Sequence, residues 1–205
     1  GGALGYRVPR EGWKPAGWYK GADRRRTRLP PLTREVLVKH LSADRLFIGF
    51  YPLLQDNSCW FLVADFDGPA AMLDALAYAK AAREEGVPAA VELSKSGRGA
   101  HVWIIFADSV PASSARALGA ALLHEAMVIR GTMDLRSYDR LFPNQDVLPD
   151  GGFGNLIAAP LEGTRRAQGL TVFLDLRTLE PYPDQWEFLS TLDRLSPRDV
   201  TRLAR

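Results

Sequence analysis

The sequence holds a single cysteine, Cys59, among 205 residues. That excludes an intrachain disulfide and a zinc centre built on cysteines. No apolar run approaches the roughly 20 residues that a membrane-spanning helix needs. The polar N-terminus lacks the short apolar stretch of a secretory signal. Apolar residues make up 46% and charged residues 24% of the chain, values of an ordinary globular protein, so disorder throughout is excluded. The expectation is a soluble, cytoplasmic protein. The opening Gly1-Gly2 without a methionine suggests an added leader dipeptide or a domain cut from a longer chain, and a monomeric catalytic domain of a larger protein is expected.

A net charge of +2 conceals an uneven distribution. Residues 1–34 carry nine basic side chains against two acids, whereas the remainder carries 17 basic and 22 acidic ones. Tyr6, Trp13, Trp18 and Tyr19 are interspersed among these cations. Cations alternating with aromatics suit a phosphate backbone with exposed bases, the alternative being a solvated tail whose rings pack on the main body. The cluster Arg24, Arg25, Arg26 and Arg28 is the candidate nucleic-acid contact. Pro30-Pro31 ends this stretch, so residues 1–34 are read as a basic extension and 35–205 as the folded domain.

Within that domain Thr33 predicts a helix N-cap before 34–41. Strands are expected at 46–51 and 60–66, a helix at 69–85 stopped by Gly86 and Pro88, strands at 89–93 and 101–106, and a helix at 113–129. Further strands at 155–159 and 171–174 precede a short helix running from Asp184 to Leu192. Interleaved strands and helices indicate an α+β or α/β class.

Three segments carry chemistry. Asp65-Phe66-Asp67 closes the apolar run Trp60–Val63. On a strand, residues i and i+2 point to one side, so two carboxylates aim at one place and repel unless a cation lies between them. Hard divalent ions prefer such oxygens. Next comes Ser94-Lys95-Ser96-Gly97-Arg98-Gly99-Ala100-His101, with hydroxyls, cations and glycines in one tight turn. Glycines let backbone N–H groups approach an anion; Lys95 and Arg98 supply charge, and His101 can donate to a phosphate oxygen. The third is Tyr138-Asp139-Arg140-Leu141-Phe142-Pro143-Asn144-Gln145-Asp146, ahead of a glycine-rich turn. Two-metal phosphoryl transfer usually takes a third acid, for which Asp139, Asp146 and Asp175 compete.

In this order the segments resemble the motifs of the archaeo-eukaryotic primase, or primase-polymerase, superfamily: Asp65-Phe66-Asp67, Ser96-Gly97-Arg98-Gly99-Ala100-His101 and Gln145-Asp146. The likeness spans residues 45–190 and is greatest toward bacterial conflict-system and CRISPR-associated members, through Phe142-Pro143-Asn144-Gln145-Asp146 and Glu180-Pro181-Tyr182-Pro183-Asp184-Gln185-Trp186. The resemblance implies an α+β fold, with an RRM-like antiparallel sheet and flanking helices beside a smaller α/β unit and the active site in the cleft between them. It implies template-directed nucleotidyl transfer with Mg²⁺ or Mn²⁺ as a pair of divalent ions. The partners would be nucleoside triphosphates and a single-stranded DNA or RNA template with its primer. Asp65, Asp67 and Asp146 would be the catalytic metal ligands, Asp146 being preferred because Pro160 closes the strand that follows it. Ser96, Arg98, His101 and Lys95 would bind the nucleotide. Arg165 and Arg166, beside Thr164, stand where related proteins place a histidine and are assigned to the phosphates.

Two other readings compete. A non-catalytic RRM-like module would bind single strands by stacking, without metal. A sugar transferase using Mn²⁺ would explain Asp65 and Asp67 but leave the basic segment and the Ser96–His101 turn without a role.

Overall fold

The computed structural model describes residues 4–8, 12–15, 32–42, 46–132, 135–150 and 152–204. In chain order its strands are β1 (Leu4–Val8), β2 (Gly12–Pro15), β3 (Ile48–Phe50), β4 (Ser58–Phe66), β5 (Ala90–Leu93), β6 (Ala100–Pro111), β7 (Tyr138–Phe142) and β8 (Ile157–Ala158). Its helices are α1 (Arg34–Leu41), α2 (Ala71–Glu84), α3 (Ala112–Arg130), α4 (Gly163–Arg166), α5 (Gln185–Thr191) and α6 (Pro197–Leu203).

Local chemistry sets several boundaries. Thr33 Oγ1 accepts the Val36 N–H at 3.3 Å and starts α1, Asp184 caps α5 through the N–H groups of Trp186 and Glu187, and Ser196 caps α6 just ahead of a proline. Gly131, at φ +64°, ends α3 in the left-handed conformation that glycine adopts without strain.

β4-α2-β5-β6-α3-β7 forms an antiparallel sheet in the order β5-β6-β4-β7, which is the βαββαβ arrangement of an RRM-like unit. The strands alternate, so each face has its own core. Leu62, Ala64, Phe66, Val102, Ile104 and Phe106 pack against Tyr78 of α2 and Leu118 and Leu122 of α3. On the other face Val63, Trp103, Phe142 and Ala90 meet Ile157, Leu161, Val172, Phe173 and Leu174.

A second sheet, ordered β2-β1-β3-β8, covers this latter face; Phe50 of β3 lies edge-on to Phe61 at 6.3 Å, and Phe61 lies 5.4 Å from Trp103. The strands of this smaller unit pair antiparallel, and α1 precedes β3 within it. Residues 4–8 and 12–15, within the segment read from sequence as a basic extension, form two of its strands. Residues 16–31, with the arginine cluster Arg24, Arg25, Arg26 and Arg28, lie outside the described residues. The strand expected at 171–174 forms an irregular pairing along the outer edge of β5, through Leu93 N–H to Val172 O and Leu174 N–H to Val91 O, each 2.9 Å.

A buried polar node ties the helices to the end of β4. Asp74 of α2, 3% exposed, accepts from Arg130 Nε at 2.8 Å and from Ser137 Oγ at 2.6 Å. The Ser137 carbonyl accepts the Asp67 N–H at 2.7 Å, so the node holds the chain that leaves β4 against the chain that enters β7. Removing one partner of a buried ion pair strands the other. Asp74→Ala is expected to lower stability by about 3 kcal/mol, read from the urea unfolding midpoint.

Candidate active site

Four residues in register make a row across one face of the RRM-like sheet: Glu92 of β5, His101 of β6, Asp65 of β4 and Arg140 of β7. The next row on that face is Ala90, Trp103, Val63 and Phe142, which is apolar and packed. The ionic row thus sits at the margin of a hydrophobic layer, where water is scarce.

His101 occupies the middle of the row. Its Nδ1 lies 2.9 Å from Glu92 Oε2, and its Nε2 lies 3.4 Å from Asp65 Oδ1. Burial pushes the Asp65 carboxyl up to about 6; His101 draws it down, and Asp67 and Asp139 add to the rise. For His101, burial favours the neutral ring, but Glu92 first, then Asp65 and Asp67, outweigh it and hold the imidazole above its ordinary value.

Asp67, just past the end of β4, is exposed and faces the glycine turn. A Cβ on Gly99 would stand 2.5 Å from Asp67 Oδ1, 2.8 Å from the Phe66 carbonyl and 2.9 Å from Ser94 Oγ, so only glycine fits between the turn and the strand end. Ser94 organises the turn: its N–H donates to Gly99 O at 2.9 Å, and its hydroxyl accepts the Gly99 N–H at 3.1 Å and meets Ser96 Oγ at 3.0 Å. Gly97 takes φ +70° there. Asp67, Gly68 and Pro69 on one side and Ser96, Gly97, Arg98 and Gly99 on the other bound a cleft of about 690 Å³, with Met72 and Leu93 as its apolar part.

The structure thus gathers Asp67, Ser96 and Arg98 around one cleft, with Asp65 and His101 directly behind. Lys95 belongs to the same turn, and Arg165 Nη1 donates to its carbonyl at 3.0 Å while the guanidinium lies over the Phe47 ring. Arg166 donates to Leu41 O at 3.1 Å and lies over the Trp186 ring at 5.2 Å. Both arginines, assigned from sequence to the phosphates, brace segments of the chain, Arg165 bracing the Ser94–Gly99 turn itself.

Asp146 is not brought to Asp65 and Asp67. β7 runs antiparallel to β4, so the chain entering β7 lies beside Asp65 and the chain leaving it travels toward Ser58. Asp146 lines a cleft with Asp56, Asn57, Ser58 and Pro111, roughly 20 Å along the strand from Asp65. There it accepts from Arg116 Nη1 at 2.5 Å. Asp175 lies outside β5, held by Arg177 at 2.9 Å. Of the three acids in competition, Asp139 is the one near Asp65: it occupies the bulge of β7 between Arg140, opposite Asp65, and Tyr138, opposite Phe66. Arg140 Nε donates to Asp139 Oδ2 at 2.7 Å. Sequence reasoning also passed over Glu92. The signal was a lone acid within the apolar strand 90–93, at the alternate position that faces His101.

Among the described residues no group of three or more His, Cys, Asp or Glu stands ready-made as a cation cage. Mg²⁺ is commonly held by one or two carboxylates, with water and substrate phosphate completing its shell. Asp65 and Asp67 fit that demand, because Asp65 Oδ1 is buried with no hydrogen-bond partner and a second carboxylate follows two residues on. Burial disfavours an anionic Asp65, His101 offsets part of that cost, and a divalent cation would offset more.

A family model described as the archaeo-eukaryotic primase domain of TOTE conflict systems matches residues 5–203. No curated protein matches the chain. Among the described residues no helix is long and apolar enough to cross a membrane.

The pH dependence follows from the raised values. A carboxyl at about 6 when folded, against an ordinary value of 3.8, holds its proton longer when folded, so its contribution to stability declines as pH rises from about 4 through 6. His101, also raised, adds a loss in the same direction, on passing above its ordinary 6.5. His40, pushed down by burial, acts oppositely below 6.5. Comparing wild type with Asp65→Asn cancels His40. The variant is expected to be more stable at pH 8 by about 2 kcal/mol, with the gap closing toward pH 4, in urea melts without divalent ions.

Proposed function

The chain belongs to the archaeo-eukaryotic primase family, and on that footing we propose that it is a template-directed nucleotidyltransferase that makes or extends primers from nucleoside triphosphates. The observation that carries this reading is the meeting of Asp67 with the Ser96–Gly99 turn across Gly99, with Asp65 directly behind. Carboxylates suited to cations and a glycine turn suited to phosphates share one cleft, as transfer to an α-phosphate requires.

Asp65 and Asp67 would hold divalent ions, with Asp139 in place of Asp146 as the third acid. When bound, such ions make an attacking 3′-hydroxyl more acidic and offset the charge of departing pyrophosphate. The chain's own part is position and charge. Ser96 and Arg98 grip the triphosphate from the turn, Lys95 adds charge beside them, and Arg165 keeps the turn in place through the Lys95 carbonyl. His101, expected from sequence to bind the nucleotide, is buried with its two ring nitrogens toward Glu92 and Asp65, so it acts through Asp65 and not on the triphosphate. The Arg24–Arg28 cluster is proposed to follow the template backbone.

Burial of the sheet face supports this reading over a stacking-only module. RRM-type binders stack bases on exposed aromatics of that face, whereas here Trp103 is 4% exposed and lies under the second sheet.

The test is extension of a labelled primer on a single-stranded template with Mg²⁺ or Mn²⁺ and each triphosphate class. Joint replacement of Asp65 and Asp67 by alanine is expected to cut turnover by about 10³-fold or more while the circular dichroism spectrum is kept. Robust extension by that variant would remove the assignment. Gly99→Ala, which drives a methyl into Asp67, is expected to raise the triphosphate KM about tenfold; an unchanged KM would detach the turn from the nucleotide.

A further inference from the structure

Glu92 is a fully buried acid, 0% exposed, for which the proposed reaction has so far given no use. Its backbone is fixed on both sides, by pairing with His101 of β6 and by the bridge to Phe173. One carboxylate oxygen, Oε2, meets His101 Nδ1 at 2.9 Å and accepts from Trp103 Nε1 at 2.7 Å; the other, Oε1, is buried with no hydrogen-bond partner. His101 and Trp103 are two residues apart on one strand, so both rings face the same side and converge on a single oxygen.

A ring hydrogen-bonded through Nδ1 cannot turn over without breaking that bond. Its Nε2 is thereby directed at Asp65 Oδ1, 3.4 Å away. A carboxylate that fixes a histidine, which in turn sets a metal-binding group, is a recurrent way of orienting ligands from outside the coordination shell. Replacing a buried acid and its polar partners by apolar residues of similar volume is often neutral or stabilising, so packing alone does not account for Glu92 at this position.

We propose that Glu92 is a positioning residue that fixes the His101 ring and, through it, presents the Asp65 carboxylate to a divalent cation. The inference rests on the reading of Asp65 as a metal ligand. It does not depend on which nucleic acid is made, or on whether primers are extended at all.

The test measures Mn²⁺ binding to the whole protein by the electron paramagnetic resonance signal of free Mn²⁺, with no nucleotide or template added. Loss of binding in Asp65→Ala first establishes that the signal reports this site. Glu92→Leu is expected to weaken binding tenfold or more. Glu92→Gln, whose carbonyl oxygen can still accept from both rings, is expected to weaken it about threefold, and it stands in should the leucine variant not fold. In a His101→Ala background the same glutamine change should alter binding by less than twofold, because Glu92 acts through His101. In ¹⁵N spectra the Nδ1 proton of His101 should be lost in Glu92→Leu.

Equal weakening with and without His101 would reduce Glu92 to a structural acid and overturn the proposal, as would Mn²⁺ affinity indifferent to Glu92. An Asp65→Ala protein that binds Mn²⁺ like wild type would overturn both this proposal and the metal reading. Mn²⁺ binding that obeys the cycle in a protein unable to extend a primer would uphold the proposal and refute the proposed polymerising activity.

Discussion

A carboxylate buried at the margin of a hydrophobic layer needs a counter-charge, and much of this site is arranged around that need. Asp65 stands at the end of β4, in line with His101 and Glu92 across two neighbouring strands. His101 answers two acids at once, Glu92 at Nδ1 and Asp65 at Nε2. Asp67 two residues on and Asp139 in the adjoining bulge add to the rise of the Asp65 carboxyl, which His101 and Arg140 offset in part. Under the proposed function a divalent cation would offset that charge.

The fold makes this charge tolerable. Trp103, Val63 and Phe142 seal the ionic row on one side, and the Asp74–Arg130–Ser137 node anchors the chain on the other. Because the Ser137 carbonyl takes the Asp67 N–H, the strand end carrying one acid and the strand start carrying another are pinned to each other. The charge is therefore held by a packed frame, and under the proposed function little reorganisation would be needed when a cation and phosphates enter.

The same frame covers the sheet face that an RRM-like unit would otherwise leave open. With that face covered, the function proposed above falls at the strand ends, on the loop between β5 and β6 and the end of β4. Gly99 is the residue on which that placement turns, since any side chain there would separate the turn from Asp67.

Features set by local chemistry were legible in the sequence. The Asp65–Asp67 pair follows from the two-residue repeat of a strand, the turn from its glycines, and α1 and α5 from their Thr33 and Asp184 caps. The order of these motifs along the chain was enough to indicate the family. What only the tertiary structure decided is which distant residues share the site. Asp146 and Asp139 lie seven positions apart in a segment whose strand, β7, was not foreseen, and the antiparallel run of that strand beside β4 sends one away from Asp65 and keeps the other near. Glu92 looked like any acid in a short apolar strand until strand register set it opposite His101. Register is a property of pairs of strands, and a single strand's sequence carries no record of its neighbour.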